Sequence, residues 1–282
     1  MNYTLEQMQE KAQAFRSLHH RPGIFVIPNP WDAGSAKILE SLGFEALATT
    51  SAGMAFSNGK PDGHSSITRD QVLAHTQNIV AATILPVSAD LENGYRDDPA
   101  ICAETILLAS KAGLAGGSIE DATGNPADPI YPFELSVERV KAAVQAARSL
   151  PVPFTVTARA ENLIKGRLDL KDTVRRLEAY ADAGADVLFA PGLKTLVDVQ
   201  MVVKAVAPRP VNVIMGIPGS DLTLENLSEV GVKRVSLGSA LMRAAYSELF
   251  RAVKEIQQKG TFTFAHQAET YVSLNKLFED HP

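Results

Sequence analysis

The chain is expected to fold as a single (β/α)8 barrel, a TIM barrel, and three observations lead there. Roughly eight short apolar runs alternate with longer amphipathic segments, the rhythm of a barrel's strand-helix units. Several of these segments close on glycine, at Leu42-Gly43, Ala112-Gly113, Ala183-Gly184 and Val230-Gly231. Glycine there accepts the left-handed conformation that ends a helix ahead of the next strand. Carboxylates and other polar residues recur just beyond the apolar runs, at the strand ends where barrels carry their sites. The 282 residues suit one domain, 1–282, because barrels reach this size without splitting. An open doubly wound sheet is the alternative, although Gly113–Gly117 lacks the spacing of a dinucleotide fingerprint.

In chain order, the first strand is Ile24–Ile27, followed by helix-like Ala33–Leu42, and the second is Ala46–Thr49. Pro86–Ala89 precedes the helical stretch Asp98–Lys111, and Gly117–Ile119 precedes Ser136–Ser149. Phe154–Thr157 leads to Leu170–Ala183, Val187–Ala190 to Thr195–Ala205, and Val211–Met215 to Leu224–Val230. Arg234–Ser236 is the last strand. Runs rich in Val and Ile are buried on both faces, as parallel strands covered by helices are. Beyond Ala245 the spacing is again helical, then come Thr261–His266 and a further helix, Ala268–Glu279. This C-terminal helical extension, 246–282, exceeds what a last barrel helix requires. It packs on the barrel's own base or reaches a neighbouring subunit.

Composition excludes several function classes. With 27 basic and 32 acidic residues the net charge is −5, so there is no nucleic-acid footprint. Neither a signal-peptide core nor an apolar run of ~20 residues is present, so no membrane partner is expected and the location is cytoplasmic. The one cysteine, Cys102, cannot form an intramolecular disulfide and reads as core packing in the apolar stretch Ala100–Ala109.

The chemistry concentrates in Leu85–Tyr95, an apolar run ending in Asp90 and Glu92 ahead of Gly94. Residues two apart in a strand face one way, so both acids can aim at one point. Gly116-Gly117-Ser118-Ile119 repeats the pattern and runs into Glu120-Asp121. Carboxylates converging from neighbouring strand ends call for a cation, and oxygen-only ligands favour Mg²⁺ or Mn²⁺ over zinc. The plainer reading is that these acids cap the following helices. Arg159 closes the apolar strand Phe154–Thr157, where its fork either binds a substrate anion or pairs with Glu161 or Glu120. Thr50-Ser51-Ala52-Gly53 offers small residues and hydroxyls to an anion, or simply turns the chain. Gly238-Ser239 after the last strand either binds an anion likewise or caps the following helix, and Asn212 is either a substrate ligand or a satisfied strand residue. Asn29 and Asp32 complete the strand-end set. His64 is a loop acid-base candidate, and Trp31 is expected to pack at the pocket entrance.

Taken together, these residues resemble the isocitrate lyase/phosphoenolpyruvate mutase superfamily from about Gly23 to Ala245. The resemblance rests on Pro30–Ala36, Thr50–Gly53, Gly59–Asp62, Ala89–Tyr95, Gly116–Asp121 and Thr157–Glu161 in that order and spacing. It implies a (β/α)8 barrel binding Mg²⁺ and a small 2-oxo or 2-hydroxy acid. By position, Asp90 and Glu92 match the metal-binding acids, Glu120 an acid around the metal's waters, and Asp62 the acid of the second strand's loop. Thr50, Ser51 and Ala52 match the segment that binds the oxo acid, Arg159 the substrate-anion arginine, and Asn212 a substrate-contacting asparagine. The implied reaction is cleavage of a C–C bond through a metal-stabilised enolate. The alternatives are phosphonomutase or P–C hydrolase chemistry on a phosphonopyruvate-like substrate, or an oxo-acid-binding barrel without turnover. Homodimers or homotetramers are the implied assembly.

The chain also departs from this pattern. The lid loop Asp121–Asp128 contains no cysteine, lysine or histidine, where the lyases carry a Cys-Gly-His motif. Asn125 is the one residue there that can stand in for the mutase's asparagine. Ala190-Pro191-Gly192 occupies the place of a lyase acid, and Glu92 that of a more usual aspartate. Water, Tyr131 and His64 are the candidate proton donors.

Overall fold

The computed structural model describes residues 3–63 and 66–279. Eight parallel strands form one sheet in the order β1-β8-β7-β6-β5-β4-β3-β2. They are β1 (Phe25–Ile27), β2 (Leu47–Ala48), β3 (Val87–Asp90), β4 (Gly116–Glu120), β5 (Thr155–Arg159), β6 (Val187–Phe189), β7 (Val211–Ile214) and β8 (Arg234–Ser236). The seam between β1 and β2 is bridged by the Ala48 N–H, which donates to the Pro28 carbonyl at 3.0 Å. Asn29 also spans it, donating to the Thr49 carbonyl and accepting the N–H groups of Leu237 and Gly238. The expected (β/α)8 barrel is the observed fold.

The helices are α1 (Leu5–His20), α2 (Ala33–Ser41), α3 (Ser51–Ser57), α4 (Arg69–Ala81), α5 (Pro99–Lys111) and α6 (Phe133–Arg148). They continue with α7 (Leu170–Asp182), α8 (Leu196–Val206), α9 (Leu224–Glu229), α10 (Ala240–Lys259) and α11 (Tyr271–Glu279). Outward strand residues such as Val87, Ile119, Val156, Leu188 and Val235 meet them in one continuous buried core. Cys102 packs there as free thiol, directly beneath Gly94, where an added Cβ would meet its sulfur at 2.7 Å.

Three helices carry no strong signal in the sequence. In α1, charges at short intervals obscure a stripe made of Ala12, Phe15, Leu18 and His19. That stripe closes the N-terminal mouth of the barrel against Phe25, Ile27, Ala115 and Val152. A Cβ on Gly116 would lie 2.9 Å from the Phe15 ring, so the glycine admits α1 to this position. Helix α3 has seven residues, too few for a period, and α4 buries only Val72, Thr76, Ile79 and Val80. Elsewhere the bounds shift. Helix α6 starts at Phe133 because Pro132 sets its cap, and α10 starts at Ala240 rather than Ala245. Helix α11 lies within this chain against α2, with Phe278 near Gly34. Among its described residues α10 buries only Met242, leaving Leu249, Phe250, Val253 and Ile256 exposed. No helix among the described residues is long and apolar enough to cross a membrane.

His19 tests how α1 is held. Its Nε2 faces the Arg234 guanidinium at 3.2 Å, so Nε2 accepts and Nδ1–H donates to the Phe15 carbonyl at 2.9 Å. Burial, then the Arg234 charge, pushes its pKa down to about 3. The unfolded chain therefore binds a proton that the folded chain refuses between about pH 6.5 and 3. Stability is complete above that window and falls with pH inside it. Urea midpoints measured from pH 7 to 4 should drop less for His19→Gln than for the unmodified protein.

Candidate active site

The C-terminal ends of β3, β4 and β5 bring Asp90, Glu120 and Arg159 together, as cross-strand register requires, with Glu120 opposite Arg159. The Arg159 guanidinium bonds Asp90 Oδ1 at 2.8 Å, Glu120 Oε2 at 3.1 Å and Glu161 Oε1 at 2.9 Å. Its Cζ lies 5.2 Å from the Phe189 ring centroid. Burial alone would favour a neutral guanidine, but the Glu161, Glu120 and Asp90 charges override it and hold the group protonated. Of the two sequence readings of Arg159, the ion pair is the arrangement observed, with Asp90, Glu120 and Glu161 holding the fork.

Asp90 is the hub of the second strand-end group. It accepts the Ser51 N–H at 3.3 Å and the Glu92 N–H at 3.2 Å besides Arg159. Its own N–H donates to the Thr49 hydroxyl. Strand β3 ends at Asp90, and Glu92 sits at φ 47° in a turn. The pairing of Asp90 and Glu92 therefore comes from that left-handed turn rather than from strand alternation. The Glu92 carboxylate has no hydrogen-bond or ion-pair partner among the described residues. Burial, then Asp90 and Asp62, raises its pKa to about 7. Asp62 is likewise pushed up by burial and by Asp90. Glu120 is pushed well up by burial, with Glu161 and Asp90 adding to it and Arg159 opposing.

Five carboxylates thus surround Arg159, with Lys165 as a further cation that lowers the shifts of Asp62, Glu92 and Glu120. This donor set suits a hard divalent cation, since carboxylates that raise one another's pKa lack positive charge. Among the described residues no three His, Cys, Asp or Glu groups converge tightly enough to hold a metal by themselves. A cation here fits as Mg²⁺ commonly does, on one or two carboxylates with its other positions left to water and substrate.

The remaining predicted residues divide. Thr50 caps α3 by accepting the Gly53 N–H, and Ser51 and Ala52 begin that helix beside Asp90. A Cβ on Gly53 would meet Thr50 at 2.5 Å and Trp31 at 3.2 Å, so the glycine lets α3 seat against Trp31. Asn212 is buried in β7 with both ends of its amide occupied, by Arg234 Nε at 2.8 Å and Ser236 Oγ at 2.9 Å. Asn29 stitches the seam, Asp32 caps α2, and Ser239 precedes α10 without a side-chain cap. Tyr131 donates to Asp97 at 2.6 Å, and burial, then that bond, pushes its hydroxyl well toward the protonated form. His64 lies outside the described residues. The lid loop is bonded to itself: Ala122 bridges Ile130, and Asn125 Oδ1 accepts the Ala127 N–H at 3.0 Å.

Beneath the acids is a cavity of about 100 Å³ lined by Thr50, Ser88, Asp90, Ser118, Arg159, Asn212, Arg234 and Ser236 among others. A larger groove of about 590 Å³ runs outside it past Glu92, Asn93 and Tyr95. The sequence reading missed Ser88, Ser118, Lys165, Arg234 and Ser236. Strand alternation was the available signal for the serines, because Ser88 and Ser118 each lie two residues before a site acid. Asp121 was read with the site acids but serves as a strut. It accepts from Tyr180 at 2.7 Å, Arg176 at 3.1 Å and the Glu161 N–H at 2.8 Å. Replacing Arg176 by Met leaves this buried carboxylate without its cation. A loss of roughly 3–5 kcal/mol in urea unfolding is expected.

Residues 15–257 match the family model described as phosphoenolpyruvate phosphomutase. A solved structure from Burkholderia cenocepacia J2315, assigned provisionally as a lyase/mutase, is 56% identical with a TM-score of 0.94, covering 97% of each chain. A second structure from that organism, provisionally a phosphonomutase, is 36% identical with a TM-score of 0.81, covering 88% of this chain and 99% of the other. The 2-methylisocitrate lyase of Halalkalibacterium halodurans is 26% identical, with 98% of this chain and 94% of the relative covered.

Proposed function

The chain belongs to the phosphoenolpyruvate phosphomutase family, and within it we propose a Mg²⁺-dependent lyase that cleaves a C–C bond in a small 2-hydroxy or 2-oxo acid. The observation that carries this reading is the unbalanced acid cluster around Arg159, with the partnerless Glu92 at its edge. Asp90 and Glu92 would hold the cation (Mn²⁺ being an acceptable substitute), with Glu120 and Asp62 accepting from its waters. Bound Mg²⁺ supplies positive charge against the negative charge that develops on the oxo-acid oxygens. Arg159 binds the substrate carboxylate, already oriented by three acids. The Thr50-Ser51-Ala52 segment at the start of α3 orients its other end. Asn212 lines the cavity below it. Tyr131, tied to Asp97, is a poor proton donor, which leaves water entering through the outer groove, or His64, in that role.

Arg159→Ala should abolish turnover of a 2-hydroxy-acid panel while circular dichroism stays native; full activity would sink the assignment. EDTA should remove activity and added Mg²⁺ restore it. Because the 36% identical relative is provisionally a phosphonomutase, P–C chemistry is the second reading. Phosphorus NMR with phosphonopyruvate separates the two, since a C–C lyase leaves that signal unchanged. We also propose a cytoplasmic location, and a homodimer or homotetramer, the latter supported by the exposed apolar face of α10. Phe250→Glu should shift the light-scattering mass toward the monomer.

A further inference from the structure

The barrel interior beneath the acids is polar in a way that the proposed chemistry does not use. Ser88, Ser118 and Thr157 precede Asp90, Glu120 and Arg159 by two residues and share their inward face. Arg234, at the start of β8, lines the same cavity and is 5% exposed. No carboxylate pairs with it among the described residues. Its Nε donates to Asn212 Oδ1 at 2.8 Å, and its terminal nitrogens donate to Thr157 Oγ1 at 3.1 Å and His19 Nε2 at 3.2 Å.

A guanidinium can only donate, and this fixes every group around it. Asn212 must turn its oxygen to Arg234, so its Nδ2 donates to Ser236 Oγ at 2.9 Å. Ser236 thereby accepts from Asn212 and keeps its own proton for another acceptor. No protein acceptor takes that proton among the described residues, and the hydroxyls of Ser88 and Ser118 have none either. Three free donors and a buried cation without an anion face one small cavity. An uncompensated buried charge is costly, and an anion seated there would relieve it.

Resting on the oxo-acid reading of the site above, we propose that this floor is an anion-recognition subsite. Ser236, with Ser88 and Ser118, donates to a carboxylate or oxyanion of the ligand, and Arg234 positions and polarises Ser236 through Asn212. The ligand then lies between two cations, Arg159 at the strand ends and Arg234 below. Arg234 is a positioning residue, and Ser236 is the contact.

Oxalate calorimetry in Mg²⁺ buffer and in EDTA tests this. Ser236→Ala, a small change with little risk to folding, should weaken oxalate roughly 10-fold in both buffers, as expected for a lost bond to a charged acceptor. Asn212→Asp gives Arg234 its missing carboxylate. It should keep the thermal midpoint at or above that of the unmodified protein while weakening oxalate at least as much. Asp90→Asn should lose the Mg²⁺-dependent increment. Should that increment be missing in the unmodified protein while EDTA binding stays sensitive to Ser236→Ala, the metal reading fails and the subsite stands. Oxalate affinity within twofold of the unmodified protein in Ser236→Ala or Asn212→Asp, or no oxalate binding in either buffer, overturns the subsite.

Discussion

One guanidinium organises this barrel's C-terminal face. Arg159 meets acids from three neighbouring strand ends, at 2.8 to 3.1 Å, in mostly buried surroundings. Unit charges 4 Å apart interact with roughly 4 kcal/mol at an effective dielectric of 20, and Arg159 opposes the burial and mutual repulsion that push Glu120 and Glu161 toward the protonated form. Its charge is nevertheless outnumbered. Asp62 and Glu92 stand beyond its direct reach and are pushed toward the protonated form by burial and by Asp90. The site is thus built with a shortfall of positive charge, and that shortfall is its chemical character.

The scaffold exists to hold that balance in place. Asp121 follows Glu120 in sequence but turns outward to Arg176 and Tyr180, and its other oxygen fixes the Glu161 backbone. The acid facing the site and the acid supporting it are therefore adjacent residues with opposite duties. At the other end of the barrel, α1 closes the mouth through Phe15 and places His19 against Arg234. The interior consequently carries a cation above and a cation below, with hydroxyls between them.

Much of this was legible in the sequence, for identifiable reasons. The eight strands appear because parallel strands buried on both faces read as apolar runs, and glycines mark where the helices stop. Asp90, Glu120 and Arg159 sit at strand ends, where the fold dictates what a polar residue can do. The pairing of Asp90 with Glu92 was anticipated for the wrong local reason, since a left-handed turn at Glu92 makes it rather than strand alternation. Helices α1, α3 and α4 were hidden by dense charge, short length and a narrow buried stripe. Arg234 and Ser236 were passed over because an arginine opening a strand looks like an ordinary surface residue until the partner of its neighbour Asn212 is known. The proton-transfer half of the site stays illegible for a related reason. In the lid loop Asp121–Asp128, Thr123 and Asn125 bond neighbouring backbone and the two acids pair with Arg176 and Arg167, so no side chain there marks itself as the proton donor.

The shortfall of positive charge is most directly tested by titrating Mn²⁺ into the protein and following the free ion by electron paramagnetic resonance. One Mn²⁺ should bind per chain in the unmodified protein, and binding should be lost in Asp90→Asn. Absence of binding in the unmodified protein, or equal binding in the variant, would contradict the account.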